Sequence, residues 1–182
     1  MPLSRLDEHR TALLVVDVQK KLLPHIHEAP SLLRRTARLV DGFTNLRLPI
    51  IVTEQYPQGL GPTVPQLAKR LTGVTTIEKL RFSACVEPVM DQLAARKIKS
   101  VVVCGIEAHV CVMQTVLDLL AADYVTALVL DAVGSRRPLD ASAAEQRMIR
   151  AGALPMTVES VLFELAKEAK GERFKAIRSV IQ

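Results

Sequence analysis

The stretch Val101-Val102-Val103-Cys104-Gly105-Ile106-Glu107-Ala108-His109-Val110-Cys111 decides how this chain folds. It opens on a β-branched apolar run of the kind that forms a strand buried on both faces. Gly105 interrupts the run. Beyond it Val112, Val116, Leu119 and Leu120 fall at i, i+4, i+7 and i+8, the apolar stripe of a helix. Cys111 therefore sits in the first turn of a helix that springs from the carboxyl end of a strand. Unpaired N–H groups and the helix dipole favour a thiolate there, and open α/β sheets bind their ligands at that edge. A core cysteine suits the same position, because cysteine is among the most buried residue types. The stretch alone leaves both readings open.

The same alternation extends in both directions. Residues 11–18 (TALLVVDV) form an apolar strand ending at Asp17. Ser31 caps a helix whose Leu32, Leu33, Leu39, Val40 and Phe43 share one side. Residues 49–53 make a second strand. The stretch 54–65 (EQYPQGLGPTVP), with three prolines and two glycines, reads as a loop. A short helix at 64–71 and a third strand at 74–77 follow, the latter running into Glu78 and Lys79. Residues 86–96 are helical, with Pro88 in the first turn. Beyond the central stretch come a strand at 125–130 ending at Asp131, a helix at 139–151 closed by Gly152, a strand at 154–158, and a helix at 161–170 with a further turn or two at 172–181.

Six strands alternating with helices, apolar throughout rather than every second residue, imply a three-layer α/β/α sandwich around a six-stranded, mostly parallel sheet. With no repeat or linker, residues 1–182 read as one domain. Right-handed crossovers bring all strand carboxyl ends to one edge. Asp17, Lys79 and Cys111 stand at three of those ends and can converge.

Composition excludes several classes. The chain is 49% hydrophobic but 3% aromatic, so its core is aliphatic. No apolar run approaches the roughly 20 residues of a membrane span, and Asp7 and Glu8 spoil the N-terminus as a signal or transit peptide. Three cysteines with no CxxC pair argue against a disulfide framework or zinc site. A reducing, cytoplasmic setting follows. The net charge of +5 is scattered among acidic residues without interleaved aromatics, which speaks against nucleic-acid binding.

Three segments resemble the isochorismatase-like cysteine hydrolases: LLVVDVQ around Asp17, EKLRFSA around Lys79, and GIEAHVCVMQT around Cys111. They occur in that family's order and the resemblance spans nearly the whole chain. It implies a six-stranded parallel sheet and an Asp–Lys–Cys triad, here Asp17, Lys79 and Cys111. It also implies a cis peptide between Ile106 and Glu107, and an oxyanion hole from the N–H groups of Glu107 and Cys111. Cysteine attack on a carbonyl carbon, with the carboxylate moving the proton, suits these residue types. The implied activity is amide hydrolysis of a small molecule through a thioester on Cys111, without a metal or other cofactor, by a homo-oligomer. A catalytically silent binding or scaffold protein that retains the fold is the alternative.

The chain departs from the nicotinamidases of that family, which carry an Asp-x-His pair and a further histidine after the second strand. Glu54-Gln55-Tyr56-Pro57 stands there instead, and Cys85 replaces a phenylalanine common in the lysine motif. EQYPQGLGPT resembles a subgroup of isochorismatase-domain proteins whose substrates are mostly unassigned. Gln19, Tyr56 and His109 are the candidate substrate-binding residues. Arg136 and Arg137, after the fifth strand, meet either an anionic substrate or only solvent.

Overall fold

Strand β1 (Thr11–Val16) is buried along its whole length, as expected of a central strand covered by helices on both sides. The computed structural model describes residues 5–181. The other strands are β2 (Ile50–Gln55), β3 (Thr76–Lys79), β4 (Ser100–Ile106), β5 (Val125–Gly134) and β6 (Leu154–Met156). They form one sheet in the order β3-β2-β1-β4-β5-β6, and every neighbouring pair is parallel.

Side-chain alternation along the strands divides the core in two. Leu13 and Val15 of β1 point to one face, with Val102 and Cys104 of β4. There they pack on Leu39, Val40 and Phe43 of α1 (Ala29–Asn45). Two further helices cover this face, α7 (Val158–Ala166) and α8 (Glu172–Ile181). Ala12, Leu14 and Val16 point the other way, with Val101 and Val103. They meet α4 (Glu87–Ala95), α5 (Met113–Ala121) and α6 (Pro138–Arg150) through Val89, Leu93, Val116, Leu119 and Met148. The three-layer arrangement follows from this two-sided burial.

Boundaries differ from the sequence reading where polar residues extend strands. Glu54 and Gln55 belong to β2 rather than to the following loop, and Pro57–Leu60 forms a one-turn helix, α2. Pro65–Ala68 is a second short helix, α3. Lys79 is the last residue of β3, paired with Gln55. β5 continues past Asp131 to Gly134, its register against β4 shifting between Val103 and Gly105. Apolarity marks strand interiors well, but not ends that serve as ligands for one another.

Gly105 is required by its position. It pairs with Val16 in the register of β1 on β4 and has φ 126°. A Cβ there would run into the backbone oxygen and nitrogen of Val16. The strand can pass this close to β1 only as glycine.

Candidate active site

Asp17 is the first residue beyond β1. Its φ of 52° lies in the left-handed region, which Asp tolerates better than most residues. The chain turns off the sheet there and leaves the carboxylate wholly buried at the sheet's carboxyl edge. Both oxygens are occupied. Thr53 Oγ1 donates to Oδ1 at 2.8 Å, and Lys79 Nζ donates to Oδ2 at 2.7 Å. The side chains of this ion pair are 0% exposed on both sides.

A buried ammonium is costly unless each of its protons finds an acceptor. Besides Asp17, Lys79 Nζ has Gln55 Oε1 at 2.8 Å, the Phe82 carbonyl at 2.9 Å and the Arg81 carbonyl at 3.2 Å. Gln55 is itself fixed. Its Nε2 donates to the Leu80 carbonyl at 2.8 Å, and its backbone N–H donates to Gln19 Oε1 at 2.8 Å. Gln19 completes the brace by donating to the carbonyls of Gln55 and Gly61, at 2.9 and 2.6 Å. Gln19 therefore holds the site's wall from behind, with its amide engaged on both ends.

Cys111 lies within a single π-helical turn (Ala108–Val112) between β4 and α5, and its side chain is 5% exposed. Asp17 and Lys79 both bear electrostatically on its thiol. Burial pushes the thiol up to about 12; Asp17 adds to the rise and Lys79 opposes it. Desolvation thus opposes the helix-start effect that favours a thiolate. The Ile106–Glu107 peptide is cis.

Two residues after β5 grip the turn that carries Cys111. The backbone N–H and Nε of Arg136 both donate to Glu107 Oε2, at 3.1 and 3.0 Å. Ser135 Oγ lies 2.9 Å from His109 Nδ1. Arg136 is thereby committed to Glu107. A cleft of about 230 Å³ opens beside this grip, with His27, Arg35, Ser135 and Glu145 among its walls.

Tyr56 follows β2 with its N–H donating to the Lys79 carbonyl at 2.9 Å. Its ring lies over Gly59, where a Cβ would collide with it. Tyr56, Leu80 and Phe82 are 51%, 76% and 53% exposed, an apolar rim around the Lys79 segment. Among the described residues no three His, Cys, Asp or Glu side chains gather as a metal site, and no helix is long and apolar enough to cross a membrane.

The structure pairs Asp17 with Lys79 across 62 residues of chain, and sets Cys111 in the turn after β4, the strand parallel to and beside β1. Thr53 and Gln55 escaped the sequence reading, though a signal was present: they are polar residues two apart in a buried strand, hence on one face.

Residues 11–160 match the isochorismatase domain. The chain belongs to the isochorismatase family. Isochorismatase domain-containing protein 2 of Xenopus laevis is 36% identical over 180 residues, 98% of this chain and 87% of its own length. The solved MAR1 ribonuclease of Caenorhabditis elegans superposes with a TM-score of 0.94 at 38% identity, over 98% of this chain and 92% of that one. YcaC proteins are more distant isochorismatase-fold relatives. The Pseudomonas aeruginosa protein, solved with hexane-2,5-diol and covalent acrylamide, has TM-score 0.89 and 28% identity, covering 99% and 93%. The Escherichia coli protein, described as an octameric hydrolase of unknown specificity, has TM-score 0.91 and 26% identity, covering 100% and 91%. Membership of the isochorismatase family supports a hydrolase.

Proposed function

We propose that this hydrolase cleaves the C–N bond of a small, uncharged amide through a thioester on Cys111, with no metal or cofactor. The observation that carries the reading is the fully buried Asp17–Lys79 ion pair at the sheet edge where Cys111 begins its helix. A thiol raised by burial needs a base, and a buried carboxylate supports that role for Asp17.

In this mechanism the thiol proton passes to Asp17 as the sulfur bonds to the carbonyl carbon. The electron pair of the C=O moves to oxygen, and the N–H groups of Glu107 and Cys111 receive the oxyanion. Asp17 then returns the proton to the nitrogen as the C–N bond breaks, releasing the amine. Water, giving its proton to Asp17, adds to the thioester. Collapse of that adduct breaks the C–S bond, the sulfur recovers the proton, and the carboxylic acid leaves. Lys79 remains charged throughout and stabilises whichever of Asp17 or the sulfur is anionic.

His109 and Tyr56 would contact the substrate, while Gln19 would act through Gln55. The covalent acrylamide in the P. aeruginosa relative supports a reactive nucleophile in this fold, since acrylamide is an acceptor for thiolates. The octameric E. coli relative and the exposed Leu80–Phe82 rim support a homo-oligomer. Three free cysteines fit a reducing compartment such as the cytoplasm.

A phosphodiesterase reading would follow the name of the C. elegans relative. Against it, the site's lysine is already neutralised by Asp17 and lies out of reach of a phosphate in solvent, and a buried carboxylate repels a phosphodiester.

The deciding experiment is intact-mass spectrometry after incubation with a panel of small amides and aldehydes, with a short RNA assayed in parallel. An adduct on Cys111, absent from Cys111→Ala, is expected. RNA cleavage that survives Cys111→Ala, with no amide turned over, would overturn the reading.

A further inference from the structure

We propose that the Thr115 hydroxyl is a positioning group: it ties the segment that holds Lys79 to the helix that carries Cys111, and so sets the reactivity of the sulfur. The proposal rests on the nucleophile reading above. Thr115 lies in α5, one turn beyond Cys111, and is wholly buried. Its Oγ1 donates to the Cys111 carbonyl at 2.6 Å. A threonine bonded back to the carbonyl four residues earlier is common in helices and by itself would mean little. Here the same oxygen also accepts the backbone N–H of Ala84 at 2.8 Å, 31 residues away.

Ala84 stands two residues after Phe82, whose carbonyl, with that of Arg81, cradles the Lys79 ammonium. The path therefore runs Lys79 Nζ, the Arg81 and Phe82 carbonyls, the Ala84 N–H, the Thr115 hydroxyl, the Cys111 carbonyl. One side-chain oxygen joins the two segments on which the ammonium and the sulfur depend. Serine preserves that oxygen; valine, of nearly the same shape, removes it and leaves a buried N–H without an acceptor. The 81–84 segment then loses this backbone tie to α5, keeping only the weaker bond from the Cys85 thiol to the Thr115 carbonyl at 3.6 Å, and the carbonyls that hold the ammonium shift. Groups that orient a reacting atom without touching substrate are worth about ten- to a hundredfold when misplaced by an ångström or so.

The test measures the rate of Cys111 alkylation by iodoacetamide from pH 7 to pH 10, by peptide mapping, in the parent, Thr115→Val and Thr115→Ser. Melting temperatures are taken alongside. Mapping keeps Cys85, which is partly exposed, out of the count. We expect Thr115→Val to alkylate about tenfold more slowly across this range, its pH profile displaced upward, and Thr115→Ser to restore the parent profile. If the valine variant does not fold, Thr115→Ala serves in its place. A lowered melting temperature with an unmoved profile would make Thr115 merely structural and overturn the proposal. So would a serine variant as slow as the valine one. Amide turnover that survives Cys111→Ala would show up separately, as failure of the nucleophile reading, and would remove this inference with it.

Discussion

At Asp17 one side chain serves three neighbours. It takes a hydrogen bond from Thr53, an ion pair from Lys79 and, in the proposed reaction, the proton of Cys111. Asp17→Asn keeps a side chain that tolerates the left-handed backbone and still accepts hydrogen bonds, but it cannot take the proton. We expect amide turnover to fall by about 10³-fold or more. Stability should drop by about 3 kcal/mol, because a buried ammonium loses its counter-charge; urea denaturation and steady-state kinetics check the two. Cys111→Ala should abolish turnover at a stability cost of about 1 kcal/mol, the price of one small buried group. Thiol chemistry also sets an alkaline limit. Burial raises Cys111 to about 12 and Cys85 to about 11, and pushes Cys104 higher still, all from an ordinary 9.0. Below pH 9 both folded and unfolded chains keep these protons, and the thiols cost nothing. Above it the unfolded chain ionises first, so stability declines as pH rises from about 9 towards the folded values. Thermal melts at pH 8, 9.5 and 10.5 should show a steady fall, shallower in Cys104→Ala after correction for its lower starting point. That Asp17 and Lys79 stand at strand ends was legible in sequence, because each closes a mainly apolar segment. The company they keep was not: a polar residue at a strand end looks the same whether it faces water or an ion pair. Nor could the sequence reading weigh burial against the helix dipole at Cys111.

Among the elements, β4 and β1 set the geometry of everything above them. Gly105 pairs with Val16, one residue before Asp17, with no room for a Cβ between them. Gly105→Ala puts a Cβ into backbone atoms that no rotamer change can move. We expect a loss of about 4 kcal/mol, seen as roughly a 10 °C drop in Tm or as insoluble protein. In sequence Gly105 read as a break in an apolar run; in the structure it is a strand residue within the β1–β4 register. Such a glycine cannot be told from a strand terminator without its neighbour. The register shift of β5 on β4, and the extension of β5 to Gly134, have the same origin. They bring Ser135 and Arg136 onto His109 and Glu107, a cross-strand relation that periodicity within one segment does not encode.

The whole molecule is a parallel sheet sealed on both faces, and this was the most legible feature of all, because continuous apolar runs alternating with amphipathic helices admit few other arrangements. What remains open to solvent is more telling. Leu80 and Phe82 stand outward while the carbonyls of residues 80–82 turn inward to Gln55 and Lys79. The segment cannot bury its side chains without releasing the lysine, and in the proposed homo-oligomer a second copy would cover them. Light scattering at micromolar concentration should give a multiple of the 20.0 kDa protomer mass. Leu80→Asp with Phe82→Asp should lower that multiple, and a parent that runs as a monomer would contradict the assembly.

The seclusion of Asp17 and Lys79 also bears on ionic strength. Dissolved ions weaken attractions between groups in water; the screening length shrinks to about 3 Å in molar salt. Pairs on the outside, such as Arg10 with Asp7 or Lys175 with Glu172, lose their hold in brine. The inner pair is buried away from bulk solvent and its counter-ions. An uncharged substrate, drawn in by no long-range field, should be hydrolysed at nearly the same rate in 10 mM and in 1 M sodium chloride. In that respect the protein would behave as an enzyme made for salt, though its net charge is +5 rather than strongly negative.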